Sequence, residues 1–302
     1  MAAAEGVKDT AVVGRGVPSV STRSRNPVFK FIRRNRSLTI GGFIVFVILF
    51  IAVFANWIAP YPPNHIDYTN VLHGFSSKHL LGSDELGRDE LARILVGART
   101  SMEVSLGAVV FALVIGIPIG LISGFYKGFI DEWLVMRVID ALQAFPFLIL
   151  ALVLAAVLGS GIRNATIAIG IGYLPIFVRI IRGQVLAETR KEYIEAARMI
   201  GASDWRIMLI HIFPNVLSPL IVQATIAMAS GIVAEASLSY LGLGAQPPTA
   251  SWGSMLHTAQ GYLAQAPWLA VVPGIAIIIA VLGFNMLGDG LQDLLDPKAR
   301  QR

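Results

Sequence analysis

The chain has 302 residues, 55% of them hydrophobic and only 14% charged. Soluble domains carry roughly 25% charged residues, so the composition excludes an ordinary water-soluble globule and points to an all-α membrane protein. With no cysteine in the chain, structural disulfides, thiolate metal sites and a cysteine nucleophile are excluded as well.

Residues 1–26 are rich in Ala, Gly, Val, Ser and Arg without periodicity and read as a flexible tail. Arg25 to Arg36 is a basic amphipathic segment suited to an anionic membrane surface. The first apolar run, Leu38 to Ala59, is long enough to cross a bilayer at about 20 residues. A signal peptide would have an apolar region of roughly 7–15 residues and a small-residue cleavage site; this run is longer and lacks the site before Trp57, so it reads as an anchor.

A polar insert follows from Pro60 to about Thr100, and further apolar runs lie at about 102–124, 134–158, 164–184, 214–240 and 268–288. The expected total is therefore six transmembrane helices. Several carry Gly and Pro (Gly116 and Pro118, Pro146, Pro175), which membrane helices tolerate when neighbours re-satisfy the backbone. The expected organisation is a basic segment 1–36, a first span 37–60 and an outer insert 61–100. A membrane domain 97–290 and a tail 291–302 complete it.

Lys and Arg set the orientation. With the N-terminus inside, nineteen of the 24 fall on the inner side, and only Lys78, Arg88, Arg93, Arg99 and Arg163 on the outer. The positive-inside rule then puts both termini and the loop 186–213 in the cytoplasm. The net charge of +5 thus belongs to membrane topology, and no nucleic-acid partner is expected.

That loop is polar, helix-prone and set between two spans. Glu192 to Ile200 are good helix formers, and Gly201 can take the left-handed conformation that ends a helix. Ser203 offers an N-cap and Asp204 an acidic first turn for a second short helix. Ala196 and Ala197 give the first helix a shallow face on which another protein can rest, flanked by the charges of Glu195 and Arg198.

Glu195-Ala196-Ala197, three residues, Gly201, nine residues and a run ending at Pro214 resembles the Glu-Ala-Ala loop of ATP-binding-cassette (ABC) importer permeases. His211 and Phe213 stand where that family usually has Ile and Leu. Two further stretches resemble one branch, the C-type permease subunit of the dipeptide and oligopeptide systems. They are Leu80 to Asp89 with Gly97 to Arg99, and Leu238 to Gly253, followed by Phe284 to Pro297.

The resemblance implies a type I importer permease fold whose cytoplasmic helix docks on an ATPase. The docking set would be Glu195, Ala196, Ala197, Arg198, Gly201, Ser203, Asp204 and Pro214. It also implies a heterodimer with a second permease subunit, two ABC ATPases, an extracytoplasmic solute-binding protein, and a place in the bacterial cytoplasmic membrane among its lipids. Dipeptides, longer peptides, glutathione and nickel complexes are all carried by relatives with these motifs. The chain has no Gly-x-x-x-x-Gly-Lys-Ser/Thr phosphate loop, so ATP is expected on partner chains, with no cofactor of its own.

Charges near the spans are functional candidates by default. Glu235, flanked by Ala234, Ala236 and Ser237, either faces the translocation path or is hydrogen-bonded between helices. Asp140 is expected to pair with Arg137 one turn away, and Asn285 and Asp289 to join an inter-helix polar network. Ser83, Asp84, Glu85, Arg88 and Asp89 read as a helix-start pattern at the mouth of the second span. The loop 241–267, with Gln246 and Trp252, is either a rim for a binding protein or an ordered connector.

Competing classes are weaker. A secondary transporter would show inverted repeats and midplane ion-coupling charges, and a membrane scaffold would not need the Glu-Ala-Ala loop. An enzyme would need a catalytic constellation, and the five His residues are scattered without metal-ligand spacing.

Overall fold

The computed structural model describes residues 35–295. The basic tail, most of the amphipathic segment and the last residues of the C-terminal tail lie outside them. The described residues are nearly all helical, with a single isolated bridge between Ser83 and Asp89.

In chain order the helices are α1 (Arg36–Ile58), α2 (Glu90–Tyr126), α3 (Asp131–Gln143), α4 (Phe147–Leu158) and α5 (Ile162–Glu188). They continue with α6 (Glu192–Met199), α7 (Asp204–Tyr240), α8 (Trp252–Ala259) and α9 (Trp268–Leu295). Five of them, α1, α2, α5, α7 and α9, are each long and apolar enough to cross a membrane. The expected third span, 134–158, is not one helix. It breaks at Phe145-Pro146 into α3 and α4, bent by 95°, because Pro146 takes an extended ψ of 132° and opens the new helix instead of continuing the old one.

The second span starts about three turns earlier than its apolar run. Asp89 caps it, with Oδ2 accepting from Ala92 N at 2.8 Å and Oδ1 contacting His79 Nδ1 at 2.8 Å. The charged residues Glu90 and Arg93 of its first turns are buried, so the outer insert ends near residue 89, not 100. At 37 residues α2 is about 55 Å long and overshoots a hydrocarbon core of about 30 Å.

Close packing comes from small residues. Gly116, Gly120 and Gly124, one turn apart on α2, lie against Phe177, Ile181 and Val185 of α5; a Cβ on Gly120 would sit 2.7 Å from Ile181 Cβ. Gly41 on α1 and Gly283 and Gly290 on α9 do the same between those two helices. α5 is the most buried of the long helices and carries Tyr173, Phe177 and Ile181 into the core. This rigid centre fixes the ends of α5 and α7, and therefore the hairpin between them.

Candidate functional site

α5 ends at Glu188 and α6 begins at Glu192, so the chain turns sharply within the three residues Thr189–Lys191. Ile194 and Ala197, one turn apart, are buried against the core, while Glu195 and Ala196 are exposed. The alanine pair therefore does not form one outward shelf: at helical spacing adjacent residues diverge by about 100°, and Ala197 belongs to the inner face. The outward apolar surface is instead Met199 and Ile200, 88% and 86% exposed. Sequence reasoning passed over them, although two large apolar residues just before a helix-ending glycine are a legible signal.

The end of α6 is a Schellman motif. Ala202 N donates to Ala197 O and Gly201 N to Arg198 O, both at 3.0 Å, with Gly201 at φ +81°. Ser203 occupies the next N-cap position, but its side chain makes no capping bond; its carbonyl accepts from Ile207 N at 3.0 Å. Asp204 is in the first turn as expected. The expected second short helix is absent as a separate element. The chain widens into a π turn at Ile207–Ile212 and runs on as the membrane-crossing body of α7, with the exposed Pro214 in the first turn after the widening, where a missing N–H is tolerated.

Two contacts seat α6. Glu188, buried at the end of α5, accepts from Tyr193 Oη and from Lys191 Nζ, each at 2.6 Å. Asn215 Nδ2 donates to His211 O at 2.8 Å and to Tyr193 Oη at 3.3 Å, tying α7 into the same cluster. Partial removal from water, together with the Glu188 carboxylate, pushes the Tyr193 phenol up to about 12. At the other end of the helix the Arg198 guanidinium lies 5.3 Å above the Phe125 ring, near the end of α2. α6 is thus fixed on its inner face, through contacts with α2, α5 and α7, and open on its outer one.

The intramembrane candidates fall elsewhere. Glu235 is buried: Oε2 accepts from Ser101 Oγ at 2.8 Å and Oε1 from Ser239 Oγ at 2.7 Å. Ser101 Oγ in turn accepts from Trp252 N at 3.3 Å, so Glu235 knits α2, α7 and α8 together. Asp140 pairs with Arg179 of α5 at 2.7 Å and not with Arg137, whose guanidinium lies 5.0 Å from the centre of the Trp133 ring. The pairing crosses helices because α3 packs on α5. Asn285 and Asp289 are exposed on α9, and among the described residues no side-chain hydrogen bond joins them to a network.

On the opposite side, Asp84 accepts from Leu86 N and Arg88 N at 2.9 Å and from Arg88 Nε at 2.6 Å, and Arg88 Nη2 reaches Glu85 at 2.8 Å. These residues form a turn before α2, not its first turn. Burial, with Asp84 alongside, raises the Glu85 carboxyl above its ordinary value. The loop 241–267 contains α8, opened by a capping box between Ser251 and Ser254. Trp252 is buried, and its Nε1 donates to Ile94 O at 3.1 Å. It anchors the loop rather than lining an outer rim.

Several membrane-crossing helices, with one short, seated, outward-facing helix between α5 and α7, define a polytopic membrane protein. The chain belongs to the binding-protein-dependent transport system inner membrane component family, which it matches over residues 116–301. Residues 28–74 match the N-terminal transmembrane domain of oligopeptide transport permease C.

Among its relatives is the glutathione transport system permease protein GsiD of Escherichia coli O6:K15:H31, 48% identical over 272 residues, or 90% of this chain and 89% of the relative. GsiD of Shigella dysenteriae serotype 1 is 47% identical with the same coverage. Inward-facing structures of the MetNI methionine ABC transporter share the fold. At 20% identity one matches with a TM-score of 0.55, covering 67% of this chain and 96% of the other, and a second with 0.54. These likenesses establish the type I ABC importer permease fold and the role of a multi-pass ABC importer permease.

Proposed function

We propose that the chain is one of two permease subunits of an ATP-driven importer that carries short peptides, glutathione among them, across the cytoplasmic membrane. Two ABC ATPases dock on the cytoplasmic side, one of them on α6, and an extracytoplasmic binding protein delivers the peptide. Both termini are cytoplasmic. Hydrolysis takes place on the ATPases, and this chain binds no cofactor of its own. Glu195, Ala196, Arg198, Gly201, Ser203 and Asp204 form or frame the docking surface, while Ala197 and Pro214 shape it from within and behind.

The observation that carries this reading is α6 itself, with Met199 and Ile200 bare and Tyr193 and Arg198 clamped to three long helices. Exposed apolar pairs on an otherwise seated helix are what a protein partner covers. The peptide reading is supported by the similarity to GsiD permeases. The test is reconstitution of the chain with its partner subunits and measurement of glutathione uptake. Uptake that requires ATP and the binding protein is the expected result. Uptake driven by an ion gradient without ATP would refute the reading.

A further inference from the structure

We propose that the cleft where the last turns of α2 meet α3 is a site for one anionic phospholipid. Its phosphate sits at Lys127 and an acyl chain lies along Pro118, Ile119 and Ile122. The cleft measures 610 Å³, within the roughly 300–1,000 Å³ of small-molecule sites. Pro118, Ile119 and Ile122 of α2 form its apolar part, and Val135 of α3 closes it. Tyr126, Lys127 and Phe129 follow directly after Phe125, the ring under Arg198 of α6, and so mark the end nearest α6. Ser123 and Asp131 complete the wall.

α3 places this end at the membrane boundary. Asp131 and Asp140 are separated by roughly 13 Å of helix. They pair with Arg182 and Arg179, which are only about 4.5 Å apart along α5. α3 therefore runs across α5 instead of along it, and the chain bends by 95° before α4 begins. Trp133, Leu134 and Val138 are exposed on α3. Phe129 stacks on Trp133 with ring centres 5.9 Å apart, and the Arg137 guanidinium lies 5.0 Å from the centre of the same ring system. Exposed aromatic rings beside basic side chains make up a headgroup belt, where the ring body meets hydrocarbon and its edge meets water.

The charges decide the headgroup. Asp131 is buried and already spent: Arg182 donates to it from Nε at 3.0 Å and from Nη2 at 2.5 Å, and Ser123 Oγ donates as well. The exposed Glu132 lies outside the lining. Lys127 is exposed, and among the described residues no carboxylate pairs with it. An ammonium at the mouth of an apolar groove is the complement of a phosphate carried on hydrocarbon. A helix of another protein would have to bring a carboxylate to the edge of the membrane to match it, at a cost that a phospholipid does not meet. Lys127 also sits at φ +46° and ψ 173°, backbone essentially reserved for glycine. Glycine would make that turn at lower cost, so the turn does not call for lysine and the charge accounts for it.

The test reads the lipid at the cleft itself, and its outcome does not depend on what the complex imports. Tyr126 is replaced by the photoreactive p-benzoylphenylalanine, and the chain, assembled with its partner subunits, is placed in vesicles of equal parts phosphatidylglycerol and phosphatidylcholine with identical chains. After irradiation the adduct is identified by mass. Phosphatidylglycerol should be captured roughly five-fold more often than phosphatidylcholine, and the preference should shrink at about 1 M salt, where charges act over about 3 Å. The same photoreactive residue at Phe46, exposed on α1, should capture both lipids alike. Lys127→Gly relieves the backbone as it removes the charge, so the preference should vanish without misfolding, and Lys127→Arg should keep it.

Equal capture of the two lipids at Tyr126, or a preference that survives Lys127→Gly, would overturn the assignment. So would displacement of the lipid by millimolar inorganic phosphate, which would make this a site for the free anion. An adduct to a protein chain would show that a partner subunit covers the cleft, and would overturn it too.

Discussion

Tyr193 donates its phenolic proton to Glu188 Oε2 at 2.6 Å, joining the second residue of α6 to the last residue of α5 across the sharp corner between them. The same phenolic oxygen receives the Asn215 amide at 3.3 Å, so one hydroxyl touches both helices that flank the hairpin. α6 is therefore tied to α5 and α7 by a polar contact and not only by the buried Ile194.

Tyr193→Phe removes that contact while keeping the ring. A hydrogen bond to a charged group, half in water here, is worth about 1 kcal/mol, too little to unfold the protein. Assembly with the partner chains should persist, with uptake lowered several-fold and ATP turnover less dependent on the binding protein. Measuring both rates on one reconstituted complex checks this, and unchanged stimulation would remove Tyr193 from the coupling route.

The same group sets a pH expectation. Its folded value, about 12, lies above the ordinary tyrosine value of about 10. The contribution is fully present below the ordinary value and is lost as pH rises through the folded one. The coupling ratio should then show no inflection from Tyr193 anywhere in the physiological range, and a break near neutral pH that disappears in Tyr193→Phe would contradict the geometry.

Glu235 offers a different kind of test, because its carboxyl is spent on Ser101 and Ser239. Glu235→Gln keeps a hydrogen-bonding group in place and should be mild. Glu235→Leu strands both hydroxyls and should destabilise by about 1–3 kcal/mol. Thermal unfolding in detergent reads this, alongside uptake of peptides with free and blocked amino termini, which should fall together. A selective loss for free amino termini would place Glu235 on the path after all.

Orientation is checked by two cysteines on exposed residues, Lys191→Cys and Thr249→Cys. An impermeant thiol reagent outside sealed cells should reach Thr249→Cys and spare Lys191→Cys. The reverse pattern would invert the topology and leave α6 unable to meet a cytoplasmic ATPase.

The spans and the hairpin were legible because apolar length and helix-ending glycine are local signals. What escaped is non-local or compensated. α2 begins early because Asp89 caps it and its first charges, Glu90 and Arg93, are buried, Arg93 within 3.4 Å of Asp84 in the preceding turn, so hydropathy alone misplaces its start. Asp140 finds Arg179, 39 residues away, over a neighbour on its own helix, since α3 lies across α5. The bend at Pro146 was marked by its proline, but not its size. The outward face of α6 depends on which side the core claims, and Ile194 and Ala197 reveal that only once α6 is seated.

Gly201 carries the sharpest prediction. Its φ of +81° is left-handed, and a Cβ built there meets nothing within 4 Å. Gly201→Val therefore has no clash to relieve and acts through conformation alone, at about 1–2 kcal/mol for a β-branched residue in that region. A penalty of that size is relieved by rotating the peptide after Ile200, which breaks the bonds from Gly201 N and Ala202 N and re-aims Met199 and Ile200. Insertion and pairing with the second permease should survive, since both rest on the long helices, while ATPase docking and uptake should fall steeply. Gly201→Asn, which tolerates left-handed backbone, should retain most activity. Ile200→Asp should lose docking with the Schellman turn intact, separating the surface from its geometry. If Gly201→Val and Ile200→Asp both keep normal uptake and normal substrate-stimulated ATP hydrolysis, α6 is not the coupling element, whatever its exposure.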